Sequence, residues 1–329
     1  MIQTKTAVKY LGFLLDNKLK FWEQFQRSCE KAASVASSLS RLMANVGGPK
    51  QGKRKLLMSV VNSVLLYGSE VWADTTKIAK YRQKISSVQR QAALRITSAY
   101  HTVSLAAIQV VASVIPIDLL ALERKYVYES VDEREVASTR ARSNSMNVWQ
   151  ERWKNDRTGR WTYRLISDLQ AWTKRQHGEV DYYLTQFLTG DRYFRYLLEK
   201  WHKVATKECL YCPGVKDTAE HTFFGCVRYS EGRPPKLYLK RESRFGTNKR
   251  RGFRVCLASK NLARSRRPRS SAKSHGCTCT TGRSWKLAGL FFKARKHSMT
   301  AQLYKYNRET SPTNPVAGFV PDSYWLNTL

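Results

Sequence analysis

Residues 19–43 read LKFWEQFQRSCEKAASVASSLSRLM, and Trp22, Phe25, Cys29, Ala32, Ala36, Leu39 and Met43 recur in them at spacings of three and four. That period puts all seven on one face of a long helix, which Asn45, Gly47, Gly48 and Pro49 close. Cys29 falls on the apolar face and reads as a small core residue. The same period continues downstream. A second helix is expected from about Lys53 to Trp72, with Leu57, Val60, Val61, Val64 and Leu65 inward. A third carries Ile78, Tyr81, Ile85, Val88, Ala92 and Ile96 inward, and Lys80, Arg82, Lys84, Arg90 and Arg95 on its other face. No acid occurs between Asp74 and Asp118. Pro116 precedes a further helix through Leu120, Arg124 and Val127, while VKYLGFLLD (8–16) reads as a strand and turn. Residues 1–135 are therefore expected to be a helical bundle behind one N-terminal strand, in a mainly α chain.

Beyond the bundle the texture changes twice. Residues 133–147 are rich in Ser, Thr and Asn and read as a linker. Residues 148–201 hold Trp149, Trp153, Trp161, Trp172, Tyr182, Tyr183, Phe187, Tyr193, Phe194, Tyr196 and Trp201. Pairs four apart, such as Trp149 with Trp153, point to helices that bury aromatics. The interleaved Arg152, Lys154, Arg160, Arg164, Arg192 and Arg195 would also suit base stacking beside phosphate contacts. Core packing is the preferred reading. After Arg228 no sustained period remains, and residues 228–297 hold 21 Lys+Arg against two acids. This reads as a largely disordered basic tail, or as sequence translated outside its true frame. The divisions expected are thus 1–135, 136–206, 207–228 and 229–329.

The whole chain of 329 residues has a formal net charge of +33, which implies a polyanionic partner or a basic tail and says nothing about fold. Residues 1–227 hold 35 basic and 21 acidic side chains, and residues 228–329 hold 23 and 4. More than half of the excess therefore lies in the last third. Seven cysteines, and no apolar leader after Met1, point to a reducing compartment rather than a disulfide scaffold. The uncharged stretch 96–117 contains Thr97, His101, Gln109 and Pro116 and reads as two buried elements around a turn, not a membrane span. GGPKQGKR (47–54) imitates a phosphate-binding loop, but Arg54 stands where Ser or Thr would hold magnesium, and a helix rather than a strand precedes it.

CLYCPGVKDTAEHTFFGC (209–226) is the strongest chemical signal. Cys209, Cys212, His221 and Cys226 have the spacing C-x2-C-x8-H-x4-C. Two cysteines separated by two residues can face one ion from a tight turn, here assisted by Pro213-Gly214. The histidine and third cysteine would complete a tetrahedron suited to structural Zn2+, with no position left open for water activation. So short a loop would draw most of its folding free energy from the metal. Lys203, Lys207, Lys216 and Arg228 surround it, and Phe223 and Phe224 could pack or stack. Cys256, Cys277, Cys279 and His275 form a much weaker second candidate. No adjacent pair of aspartates occurs anywhere in the chain, and Asp16, Asp74, Asp118 and Asp181 are isolated. No catalytic residue and no small-molecule substrate are evident.

Taken in order, VKYLGFLLD (8–16), CEKAASVASSLSRLM (29–43), LLYGSEVWAD (65–74), SVQRQAALRITSAYHTVS (87–104), IPIDLLALER (115–124), GRWTYRLI (159–166), HGEVDYYLTQFLTG (177–190) and the zinc motif resemble the C-terminal part of non-LTR (LINE-type) retrotransposon reverse transcriptases. Among these, the type-1 retrotransposable elements of arthropods are the nearest in kind. The resemblance implies that VKYLGFLLD enters the thumb just downstream of the catalytic palm. The helices that follow would be thumb and connection, gripping template and primer through phosphates. The Cys209/Cys212/His221/Cys226 knuckle would help to bind RNA or target DNA. Mg2+ would belong only to the palm, so no catalytic residue carries over. The resemblance also implies a nuclear site of action. Two departures stand out: Asp191-Arg192 follows Gly190 where the family has His-Gly, and the likeness fades beyond Cys226. Three functions compete: a reverse-transcriptase fragment that retains nucleic-acid binding, a host-adopted zinc-knuckle binding protein, and a structural bundle or relic whose charge is incidental.

Overall fold

Leu11 and Gly12 both have positive φ, 46° and 83°, which is the backbone of a two-residue hairpin turn. The turn folds the expected single strand into two, β1 (Ala7–Tyr10) and β2 (Phe13–Asp16), paired antiparallel from Ala7↔Asp16 to Tyr10↔Phe13. Tyr67 Oη donates to the Leu11 carbonyl at 2.6 Å and pins the tip. The structure is a computed structural model and describes residues 7–175, 179–191, 194–230, 237–241 and 253–257.

Helix α1 (Trp22–Ser40) buries Phe25, Cys29, Ala32 and Ala36, as the spacing requires. Its two alanines allow close approach to the helices α2 (Gln51–Leu65) and α4 (Ala79–Thr97) that it packs against. Burial raises the Cys29 thiol to about 11, so this cysteine is an inert core residue. The expected helix from Lys53 to Trp72 is broken in two. The first part ends at Leu65, and Gly68, at φ 64°, is the N-cap of a short α3 (Ser69–Trp72). A Cβ on Gly68 would lie 3.0 Å from the Phe13 ring, so the hairpin closes onto this break. The inward face of α2 is Arg54, Met58, Val61 and Leu65, with Leu57 and Val64 half-buried. Val60, expected inward, is 48% exposed because the buried row fixes the rotation of the helix one position away. In α4 the expected Tyr81, Ile85, Val88, Ala92 and Ile96 are buried, whereas Ile78 is the exposed N-cap. Phe25 makes edge contacts with Trp72 (4.6 Å) and Tyr81 (5.0 Å), joining α1, α3 and α4.

The uncharged stretch forms α5 (Leu105–Ala112) and the start of α6 (Ile117–Glu129), both buried where they meet. Gln89 holds the turn between them: its amide donates to Ile115 O (2.8 Å), and its oxygen accepts from Ile117 N (3.1 Å) and Gln109 (2.8 Å). Among the described residues no single helix is long and apolar enough to cross a membrane.

The expected linker is helical. Helix α7 (Arg134–Asn155) buries Ala137, Ala141, Ser145, Trp149 and Trp153, a row at spacing four packed beside α6. A boundary at 135/136 therefore falls inside one helix. Four short helices follow: α8 (Arg160–Leu165), α9 (Leu169–Thr173), α10 (Tyr182–Thr189) and α11 (Arg195–Lys200). Their aromatics are structural. Trp149, Trp153, Trp172, Tyr182, Phe187 and Phe194 are buried, and the Trp153, Trp161 and Trp172 indoles donate to Ile166 O, Phe187 O and Val110 O. A single hydrophobic cluster runs from Phe13 to Phe223. Most of the tail lies outside the described residues, as do His275, Cys277 and Cys279. Within it, β3 (Leu237–Arg241) pairs antiparallel with β4 (Phe253–Leu257), a pairing that the sequence reading did not foresee.

Candidate metal centre

Pro213 and Gly214, the latter at φ 73°, occupy the two central positions that a type II turn assigns to proline and glycine. The turn is closed by Val215 N to Cys212 O (3.2 Å) and Cys209 N to Val215 O (2.8 Å), with Glu208 bridging Lys216 outside it. It brings Cys209 and Cys212 to one side. The helical turn His221–Gly225 brings the other two groups, starting from His221 N on Thr218 Oγ1 (3.1 Å) and ending at Cys226 N on His221 O (2.7 Å). A Cβ on Gly225 would lie 3.3 Å from His221 Nδ1, so glycine leaves the ring room.

One ligand atom from each of Cys209, Cys212, His221 and Cys226 lies within 4.8 Å of the others. Cys226 Sγ is 3.7 Å from Cys209 Sγ and 4.0 Å from Cys212 Sγ. A tetrahedral ion with metal–sulfur bonds near 2.3 Å has edges of about 3.8 Å, so these distances fit a bound cation. The site is half-enclosed: Cys209 and Cys226 are buried, Cys212 and His221 partly so. Burial, with the neighbouring thiols of Cys209 and Cys212, pushes the Cys226 thiol up to about 12. Three thiols this close cannot ionise together unless a cation compensates them. The four residues could hold one metal ion.

The knuckle is anchored to the bundle by residues that the spacing of ligands does not reveal. Asp217, almost fully buried, accepts from Arg195 N (2.9 Å) and from Thr222 Oγ1 (2.9 Å), linking α11 to the turn that carries His221. Arg164 on α8 makes a bidentate pair with Glu220 at 2.6 and 2.8 Å. Phe223 packs on Phe187 with centroids 4.5 Å apart and belongs to the main core, whereas Phe224 is half-buried against it. The loop therefore has more apolar anchorage than its sequence indicates. The signal for this was the Phe-Phe pair, which composition alone leaves open between packing and stacking.

The basic residues singled out in the sequence fall into two groups. Lys203, Lys207, Lys216 and Arg228 are all exposed around the cluster, with Arg228 5.6 Å from the Tyr211 ring. On α4, Lys80 and Lys84 are exposed, and Lys80 Nζ lies 3.8 Å over the Trp22 ring. Arg82, Arg90 and Arg95 are half-buried. Arg90 donates to the carbonyls of His101 and Val103, so its guanidinium braces the loop before α5. Asp16 receives Lys20 N and Phe21 N, Asp118 pairs with Arg152 at 2.6 Å, Asp74 pairs with Lys77 and Lys125, and Asp181 caps α10. Each of these isolated acids has a structural partner. Asp191, which departs from the family pattern, is buried and accepts the Thr102 hydroxyl.

No family model matches the chain, and no solved structure matches it. Among curated proteins, the retrovirus-related Pol polyprotein from type-1 retrotransposable element R1 of Nasonia vitripennis is 27% identical over 204 residues, or 56% of this chain and 60% of that one. The corresponding polyprotein of element R1 2 from the same organism is 24% identical over 251 residues, 70% of this chain and 61% of that one. A 115 kDa protein in element R1DM of Drosophila melanogaster is 28% identical over 180 residues, 49% and 18% of the two chains. The chain is homologous to arthropod type-1 retrotransposon Pol polyproteins. It spans about three fifths of the length of the two wasp relatives. The sequence is thus of retrotransposon origin, and the resemblance drawn from its ordered segments agrees with these relatives.

Proposed function

We propose that this chain is the thumb, connection and zinc-knuckle portion of a retrotransposon reverse transcriptase, and that it binds RNA or DNA without a polymerase centre of its own. The carrying observation is the convergence of Cys209, Cys212, His221 and Cys226 on one point. The ion is Zn2+: three thiolates and one imidazole at tetrahedral spacing are its preferred donors. All four positions would be filled by protein, so zinc would supply structure rather than a reactive water. It would hold the exposed Lys203, Lys207, Lys216 and Arg228 in a fixed array beside the bundle, where they would meet phosphates. Lys80, Arg82, Lys84 and Arg95 would extend the positive surface along α4, to which Arg90 would add its charge while its guanidinium braces the loop before α5. With no Asp-Asp pair in the sequence, two magnesium ions have no evident seat here. Action on nuclear DNA is part of the same reading.

The test is the salt dependence of binding to a labelled single strand. Each phosphate contact to a single strand contributes about −0.7 to the slope of log affinity against log salt. A slope of several units, with no primer extension when magnesium and nucleotides are added, is the expected result. Absence of salt-dependent binding would return the protein to the structural-bundle reading, and primer extension would overturn the lack of a polymerase centre.

A further inference from the structure

Helices α2 and α7 stand apart over the inner face of α4, and the space between them is a cavity of about 1520 Å³. That exceeds the roughly 300–1,000 Å³ of a small-molecule cleft. Its wall carries Lys55, Arg142, Lys154, Arg160, Arg164 and Lys174, with Asp168 as the acid among the described lining residues; Arg142 and Arg164 are paired with Glu123 and Glu220, which lie outside that lining. Asp168 is committed to capping α9, where Oδ1 accepts Ala171 N at 3.0 Å. The α7 wall is polar: Thr139, Ser143, Asn147 and Gln150 share the face that carries Arg142 and Lys154. The same Ser- and Asn-rich composition that imitates a linker is thus one side of a groove.

Further observations define what the groove would hold. Lys174 is exposed, and so is Lys154, whose ion pair with Glu151 at 3.5 Å lies at the surface, where a phosphate can compete for it. At one end Lys55 Nζ donates to Ser113 O (2.9 Å) and Arg175 donates to Ser113 Oγ (3.0 Å), so two cations converge on one lining residue. Burial and the nearby Arg175 both lower the Lys55 ammonium, an effect that an anion would oppose. On the α2 wall Asn62 is half-buried and lines the same space. An amide lining such a space suits the Watson–Crick edge of an unpaired base. A duplex has those edges already paired.

We infer that this groove is a seat for single-stranded nucleic acid, with phosphates along the α7–α9 wall and base edges toward Asn62. The inference rests on the nucleic-acid reading above but places the strand on a surface separate from the exposed α4 residues and the knuckle.

The test uses the full chain and 4-thio-substituted single-stranded RNA and DNA. Double charge reversal, K154E with K174E, is compared with K18E and K31E, an equal change at exposed positions outside the groove. The groove pair is expected to lower affinity tenfold or more and to reduce the salt slope by about 1.4, while the control pair leaves the slope near wild type. Photo-crosslinks are expected within residues 55–62 and 139–174. Equal effects from the two pairs, crosslinks confined to residues beyond 228, or equal competition by a duplex would each overturn the groove while leaving general binding intact. Failure of the wild-type chain to bind any strand would overturn both readings.

Discussion

Arg54 shows how a single residue can be misread by motif and explained by geometry. It sits in the last position of GGPKQGKR, where a phosphate-binding loop would need a hydroxyl. In the structure it is buried, and its guanidinium donates to the carbonyls of Ala44, Pro49 and Arg95. A planar fork of five donors reaches three carbonyls spread around its edge, which the compact ammonium of a lysine matches less well. Arg54 is therefore the clasp of the α1–α2 turn. Replacing it with alanine leaves the Ala44 and Pro49 carbonyls without their donor, while Arg95 O keeps Ser98 N, a loss of about 2–6 kcal/mol at roughly 1–3 per orphaned group. Urea unfolding of R54A and R54K should place both below wild type, with R54K between. A wild-type midpoint for R54A would refute the clasp. The convergence of Cys209, Cys212, His221 and Cys226 was legible in the sequence because their spacing is itself chemical information. Asp217 was not, since nothing in its neighbours shows that its carboxylate accepts from Arg195 N and Thr222.

At the scale of elements, the helices were legible wherever large apolar residues mark the buried row, as in α1 and α4. They were obscured where the buried row is small. In α7 the stripe Ala137, Ala141, Ser145 lies beside exposed Arg142, Ser143 and Asn144, and the window averages to the composition of a linker. Close packing on α6 selects small side chains here, and helix propensity is overridden by tertiary contact. The hairpin was missed for a different reason: Leu11 must adopt positive φ, which a sequence reader does not assign to leucine. The helical reading of 134–155 makes a sharp prediction. Asn144→Pro touches no buried side chain, yet it removes a hydrogen bond and clashes with the preceding turn, at about 3 kcal/mol or more. A thermal scan should show a large loss for N144P; an unchanged melting temperature would mean that this segment is a linker after all.

For the whole molecule, the charge of +33 separates into parts with different meanings. The described bundle and knuckle belong to a region with a modest basic excess, and the denser excess lies beyond Arg228. The inference of nucleic-acid binding therefore rests on placement, in the knuckle and the groove, rather than on net charge. One core extends from the N-terminal hairpin through α10 to Phe223, so the knuckle and bundle meet in a shared interior rather than along a flexible tether. The account turns on whether the knuckle is a metal centre. Native mass spectrometry of the full chain, with C212S and C226S prepared in parallel, measures this directly. The account predicts about one zinc per wild-type chain and its loss from both variants. A metal-free wild type, or variants that keep their zinc, would contradict it.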